Sequence, residues 1–207
     1  MCYNYCKYEK SAVICINVYD FDNTIYDGES LLDFYLLCIK HHPKLVKYLF
    51  VVLDSYRKYK KCKISPERFS FLAKKYAAEA LCAVPDLEAL TEKFWIRNKR
   101  KLKGWYKSEQ KTDDIVVSAT FGFLLRPALE ILGIKHYVCS EIDLESAKIT
   151  QICFKEEKIR CFEKKFPGAE IENFYTDSLN DEEFMKKAQN VYLVKHEKII
   201  KYDGYKH

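Results

Sequence analysis

The sequence has few of the residues that break regular structure, and it has no long apolar segment. Only 6 glycines and 5 prolines occur among 207 residues, which argues against a fibrous or disordered chain. The longest apolar stretch, around Leu45–Leu53, is interrupted by Lys47 and falls short of the roughly 18–20 residues that cross a bilayer. It predicts a buried helix, and the sequence predicts no membrane span.

The sequence also lacks the marks of an exported protein. The first ten residues, MCYNYCKYEK, contain neither the hydrophobic segment nor the small-residue cleavage site of a secretory signal. The 9 cysteines are odd in number, form no C-x-x-C pair and include several inside apolar runs, so buried reduced thiols are predicted. Both features predict a cytoplasmic location.

The charged residues do not form one basic block. The 35 basic and 30 acidic residues give a net charge of +5 that is spread over mixed-sign segments. The lysine-rich stretches 58–63 and 97–103 are interpreted as solvated helix faces in preference to nucleic-acid or membrane contacts. No nucleic-acid partner is predicted. The excess positive charge suits an anionic substrate without assigning one, and the oligomeric state is unknown at this stage.

Apolar patterns predict an α/β fold. A continuous apolar run from Ser11 to Tyr19 is typical of a strand buried on both faces of a parallel sheet, and it ends at Asp20. Residues 30–103 have helical periodicity, with prolines that suit the first turns of helices. After residue 103, strand-like and helix-like segments alternate, as in βαβ units.

The predicted architecture is therefore a Rossmann-like parallel sheet flanked by helices, with an inserted all-helical cap. We expect the core domain to comprise residues 1–29 and 104–207, and the cap to comprise residues 30–103.

The most informative motif is Asp20-Phe21-Asp22-Asn23-Thr24, at the carboxyl end of the first predicted strand. Ligands bind at such strand ends in open α/β sheets. Two carboxylates there cannot both ionise cheaply without a cation or hydrogen-bond donors nearby. A calcium loop of the EF-hand type is excluded, because Ile25 and Leu31 stand where glycine and glutamate are needed. For this motif alone, an ordinary turn with aspartate caps remains the alternative.

With three further segments in the right order, the chain resembles the haloacid dehalogenase phosphatases, in particular the phosphoserine-phosphatase-like branch with a helical cap. The resemblance covers nearly the whole chain. Its four motifs map onto Asp20 and Asp22, Ser118 in IVVSAT, Lys158 in EEKIRCF, and Asp177 and Asp181 in YTDSLND. It implies a magnesium-dependent phosphatase that acts on a small phosphorylated metabolite.

The resemblance also implies roles for these residues. Asp20 is the expected nucleophile that becomes a phospho-aspartate, and Asp22 the expected general acid and then base. Residues two apart share a face of an extended chain, so the spacing suits this pair. Asp20, the main-chain carbonyl of Asp22, and Asp177 are the expected Mg²⁺ ligands, with Asp181 orienting ligands or bound water.

Ser118 and Lys158 are the expected phosphate-binding residues. For Ser118, a plain strand-end cap is the alternative. For Lys158, it is a solvated helix lysine, with Lys155 one turn away as a rival. Where family members often have glycines, this chain has Ala119-Thr120 and Ser178-Leu179, and Pro127 predicts that the next helix begins near Arg126.

Substrate choice is expected to depend on the cap. Glu29 stands where phosphoserine phosphatases carry a glutamate that recognises the substrate amino group, although a first-turn acid favoured by the helix dipole explains it equally well. Arg57 and Arg68 are the candidates for a clamp on a substrate carboxylate.

Three functions are compatible with these residues. Phosphomonoester hydrolysis leads, and phosphoryl transfer to an acceptor alcohol uses the same groups. A non-catalytic phosphate sensor is the third, but a binding module has no need of a nucleophile paired with an acid.

Overall fold

A computed structural model describes residues 15–204 of the chain. The N-terminal decapeptide and the first part of the predicted strand, residues 11–14, lie outside the described residues. One seven-stranded sheet forms the centre of the molecule. Its strands span Cys15–Asp20 (β1), Ile115–Phe121 (β2), His136–Asp143 (β3), Lys148–Gln151 (β4), Glu170–Thr176 (β5), Asn190–Lys195 (β6) and Lys198–Tyr202 (β7).

The strand order is β4-β3-β2-β1-β5-β6-β7. Strands β1, β2, β3, β5 and β6 run parallel, whereas β4 and β7 pair antiparallel at the two edges. Strand β1 lies between β2 and β5, so the carboxyl ends of these three strands meet at one edge of the sheet. The predicted α/β class with a Rossmann-like sheet is confirmed.

Eight α-helices accompany the sheet in the described part of the chain. They span Ser30–His41 (α1), Val46–Lys60 (α2), Pro66–Cys82 (α3), Leu87–Asn98 (α4), Gly104–Glu109 (α5), Gly122–Leu132 (α6), Glu156–Lys165 (α7) and Glu182–Lys187 (α8). Short 3₁₀ helices occupy Pro43–Leu45, Lys99–Lys101 and Leu179–Asp181. Every secondary-structure element between β1 and β2 is a helix, and loops or turns connect these helices. The division into a core and a cap domain stays a prediction.

Buried side chains form two hydrophobic clusters around the sheet. One contains Phe21 with Trp95 and residues of α6, while the other contains Phe162, Phe174 and Phe184. Burial on both faces explains why most residues of β1 and β2 are apolar.

Helix α2 corrects one sequence prediction, because it is not a buried helix. Phe50 is 64% exposed and Leu53 is 40% exposed. The helix packs mainly against α3, so only one of its faces is covered while apolar residues occur all around it. Within residues 15–204, no helix is long and apolar enough to cross a membrane.

Two further predictions need correction. Helix α6 begins at Gly122, directly after β2, and contains Pro127 in its interior instead of beginning near Arg126. Its buried face, which includes Leu124 and Leu129, offsets the hydrogen bond that the proline removes. The six cysteines whose state is described are free, as predicted, but Cys62 is exposed.

Candidate active site

The Asp20–Asp22 segment passes from the end of β1 into a tight turn. The amides of Ile25 and Tyr26 both donate to the carbonyl of Phe21, at 2.8 and 2.9 Å. Phe21 is fully buried and anchors the turn in the core. The two carboxylates on either side of it are thereby held at the carboxyl edge of the sheet.

Lys158 lies between two buried carboxylates. Its Nζ donates to Asp20 Oδ1 at 2.6 Å and to Asp181 Oδ2 at 2.9 Å. Lys158 is 4% exposed, and both carboxylates are buried. Asp181 also accepts from Thr176 Oγ1 at 3.1 Å. Lys155, the rival lysine, is exposed, so the geometry favours Lys158 as the residue of this cluster.

Asp22 is held by donors from two other elements. Its Oδ1 accepts from the Ser30 amide at 2.8 Å, at the beginning of α1, and its Oδ2 accepts from Thr120 Oγ1 at 2.7 Å. The hydroxyls of Ser30 and Thr120 lie 3.0 Å apart. The residues that the motifs identify do not include Ser30 or Thr120. The available signal was that Thr120 stands two residues after Ser118 and therefore on the same side of β2.

Ser118 is buried within β2 and does not cap the strand end. Its Oγ accepts from the Thr120 amide at 3.0 Å. This bond leaves the hydroxyl proton of Ser118 available as a donor.

Asp177 follows β5 and is half-buried. No side chain described among residues 15–204 donates a hydrogen bond to its carboxylate. Burial raises the pKa of Asp177, and Lys158 and Lys103 lie near enough to oppose this in part. Lys103 corrects another prediction: it is 4% exposed instead of lying on a solvated helix face. Its Nζ donates to the carbonyl of Asn23, because the chain returns from the helical connection to the core at this point.

Burial dominates the electrostatics of the cluster. It raises the pKa of Asp20 to about 8, even though Lys158 lowers it. Burial also raises the pKa of Asp22 and of Asp177. For Lys158, burial lowers the pKa, but Asp20 and Asp181 more than offset this and raise it overall. The acidic groups outnumber the buried cation and therefore favour an additional positive charge.

Glu29 lies at the border of this cluster. Its Oε1 accepts from Asn23 Nδ2 at 2.7 Å, and its pKa is raised by burial and then by Asp22 and Asp177. Arg57 and Arg68 are both exposed. The structure thus brings Glu29 to the site and gives neither arginine a place there.

The donor set fits a hard divalent cation such as Mg²⁺. Carboxylate oxygens of Asp20 and Asp177 and a main-chain carbonyl are ligands of the kind that Mg²⁺ prefers, and the surplus negative charge needs compensation. Among residues 15–204, no three His, Cys, Asp or Glu side chains form a metal-binding group. The Mg²⁺ ligands implied by the resemblance do not include three such side chains, because they are two carboxylates and the main-chain carbonyl of Asp22.

The family assignment follows from the sequence itself. Residues 18–186 match the family described as haloacid dehalogenase-like hydrolase, a range that includes all six aspartate, serine and lysine residues of the four motifs. The chain belongs to this hydrolase family, as predicted. A comparison with curated proteins finds no match.

Solved structures share the fold at low sequence identity. A protein of unknown function from Bordetella pertussis Tohama I has a TM-score of 0.65 and 18% identity, covering 85% of this chain and 87% of that one. A phosphoserine phosphohydrolase-like protein from Francisella tularensis subsp. tularensis SCHU S4 has a TM-score of 0.52 and 15% identity, covering 86% of both chains. The fold shared with these structures therefore extends over about 85% of this chain.

Proposed function

We propose that this hydrolase is a Mg²⁺-dependent phosphomonoesterase that acts on a small phosphorylated metabolite through a phospho-aspartate on Asp20. The observation that carries the proposal is the buried Asp20–Lys158–Asp181 cluster beside an Asp22 fixed by two donors. A cluster that only stabilised the fold would not need Asp22, a further carboxylate held by its own donors.

Asp20 is the nucleophile. One of its oxygens forms a bond to phosphorus while the bond between phosphorus and the substrate oxygen breaks, and water then hydrolyses the acyl phosphate. Lys158 already bonds Asp20 Oδ1, so it offsets negative charge on the attacking group and the phosphate. Ser118 donates its free hydroxyl proton to a phosphate oxygen.

Asp22 transfers the protons. It protonates the leaving alkoxide oxygen, which departs as the alcohol, in the first step and takes a proton from water in the second. Burial raises the pKa of Asp22, which is the direction that suits a general acid. Ser30 and Thr120 fix its carboxylate.

Asp20, the carbonyl of Asp22 and Asp177 would hold Mg²⁺, and Asp181 would orient water or ligands around it. The bound cation would supply fixed positive charge that reduces the repulsion between a carboxylate and a phosphate dianion. Transfer to an acceptor alcohol other than water remains the second candidate, because it uses the same groups. The cytoplasmic location stays a prediction.

Phosphate release from p-nitrophenyl phosphate and from a panel of phosphorylated metabolites, with Mg²⁺ present, tests the proposal. We expect release that depends on Mg²⁺, and product analysis with added alcohols separates hydrolysis from transfer. Absence of phosphate release from every monoester would contradict the proposed function and favour the sensor.

A further inference from the structure

Helices α1, α2 and α3 line an open cavity of about 460 Å³ that the proposed chemistry does not use. Its size is that of an ordinary small-molecule site. Of the described residues that line it, only Glu29 carries a charge. The remainder are leucine, valine, alanine and tyrosine, including Leu31, Leu49, Val52 and Ala77.

The cavity and the candidate active site meet at the beginning of α1. Glu29 lines it and accepts a hydrogen bond from Asn23, the residue directly after Asp22. The next residue, Ser30, donates its amide to Asp22 Oδ1 at 2.8 Å, and Leu31 then lines the cavity again. The beginning of α1 therefore borders both the proposed general acid and the apolar space.

The lining does not suit a polar leaving group such as serine. A substrate carboxylate needs a cationic partner when it leaves water. No lysine or arginine is among the described lining residues, and Arg57 and Arg68 are exposed elsewhere. Apolar groups, in contrast, gain free energy in such a space without any partner.

We propose that this cavity holds the alcohol part of the substrate, and that the substrate is the phosphate monoester of an alcohol with an apolar chain. The inference rests on the proposed function, because it places the phosphate at Asp20 and the leaving oxygen at Asp22. Glu29 stands where the polar ester and the apolar chain meet.

The surroundings of the cavity suit an anionic amphiphile. Leu32 lines the cavity and is 52% exposed, so apolar surface continues outward from it. Residues 43–75 contain 10 lysines and arginines against 2 acidic residues. The segment that contributes α2 and part of α3 to the cavity therefore has an excess of positive charge, which attracts an anionic ligand.

A series of n-alkyl phosphates from ethyl to octyl, assayed below their aggregation concentrations with Mg²⁺, tests the inference. We expect kcat/KM to rise about fourfold per methylene until the cavity is full, the factor that ~0.8 kcal/mol per buried CH₂ gives. Phosphoserine should be a poorer substrate than hexyl phosphate. Binding of the matching alkylphosphonates, measured by calorimetry, should show the same trend without turnover.

Variants that fill the cavity provide the second test. Ala77→Phe should remove most of the rise in kcat/KM with chain length, while ethyl phosphate is still hydrolysed. The smaller substitution Ala73→Leu serves the same purpose if Ala77→Phe does not fold. Both alanines line the cavity on α3. Ala89→Phe, at an exposed position of α4, is the matched control and should keep the full gain.

The outcomes separate the two proposals. Hydrolysis of short phosphates with kcat/KM independent of chain length, or a preference for phosphoserine, would overturn the inference and leave the proposed function intact. If the protein hydrolyses no monoester but still binds alkylphosphonates more tightly as the chain lengthens, the proposed function alone is overturned.

Discussion

Lys158 Nζ lies 2.6 Å from Asp20 Oδ1, although 138 residues separate the two along the chain. Both groups are buried, and Asp181 completes the cluster. An unpaired charge in such a place is costly, whereas a hydrogen-bonded pair is tolerated. The fold therefore depends on the same contact that would offset charge during phosphoryl transfer.

Replacement of Lys158 by methionine should impair both stability and activity. Removal of one partner leaves two buried carboxylates without their cation, so we expect the free energy of unfolding to fall by about 3–5 kcal/mol. Urea unfolding measures this change. Lys155→Met, at the exposed rival position, is the control, and its stability should change by less than about 0.5 kcal/mol. Equal effects of the two substitutions would contradict the assignment.

Replacement of Asp20 by asparagine should abolish turnover while the fold survives. Asparagine keeps the shape but lacks the attacking charge, so we expect kcat to fall by about four orders of magnitude, as for other covalent nucleophiles. Circular dichroism verifies the fold. Near-normal turnover of the purified variant would rule out a phospho-aspartate on this residue.

Removal of the metal should abolish activity reversibly. Excess chelator should stop phosphate release, Mg²⁺ should restore it, and Ca²⁺ should substitute poorly because its coordination is larger and looser. Asp177→Asn should raise the Mg²⁺ concentration needed for half-maximal activity at least about tenfold. Asp54→Asn, on the exposed side of α2, is the control and should leave this Mg²⁺ concentration unchanged. Full activity in chelator would refute the magnesium requirement.

Much of the fold could be predicted because it depends on local patterns. The buried strands β1 and β2 are mostly apolar, and the helical connection has regular periodicity. Exposure could not be predicted in the same way. The apolar residues of α2 look like a buried helix, yet Phe50 is largely exposed, because periodicity does not reveal how many faces a helix packs.

The candidate site followed from motifs only in part. The order of the motifs identified Asp20, Asp22, Lys158 and Asp181 as candidates. The supporting residues depend on tertiary contacts: Thr120 reaches Asp22 across 98 residues, and Lys103 is buried although residues 99–101 before it are all basic. Spacing places Thr120 on the same side of β2 as Ser118, but it does not reveal which distant residue either side chain contacts.

Replacement of Thr120 by valine should impair proton transfer selectively. Valine keeps the shape but removes the donor to Asp22 Oδ2, a bond to a carboxylate worth about 1.5–3 kcal/mol. We expect kcat for alkyl phosphates to fall tenfold to a hundredfold, whereas p-nitrophenyl phosphate, whose leaving group needs little protonation, should be nearly unaffected. Thr120→Ser keeps the hydroxyl and should restore activity on alkyl phosphates. Equal losses on both substrates would show that Thr120 only supports the fold.

Asp114 should make the stability of the protein depend on pH. It is 1% exposed and accepts from the Lys111 amide at 2.8 Å and from Asn17 at 3.2 Å. Burial raises its pKa above the ordinary 3.8, so the folded protein holds the proton to higher pH than the unfolded chain does.

The resulting stabilisation is therefore complete below about pH 3.8 and is lost as the pH rises through the pKa of the folded state. Urea unfolding from pH 4 to 8 tests this by comparing the wild type with Asp114→Asn. The difference in free energy of unfolding, wild type minus variant, should fall as the pH rises, by up to ~1.4 kcal/mol per pH unit. The neighbouring Asp113 is exposed, so Asp113→Asn should follow the wild-type curve. A constant difference between wild type and Asp114→Asn across this range would contradict the raised pKa, since asparagine removes the only titrating group at that position.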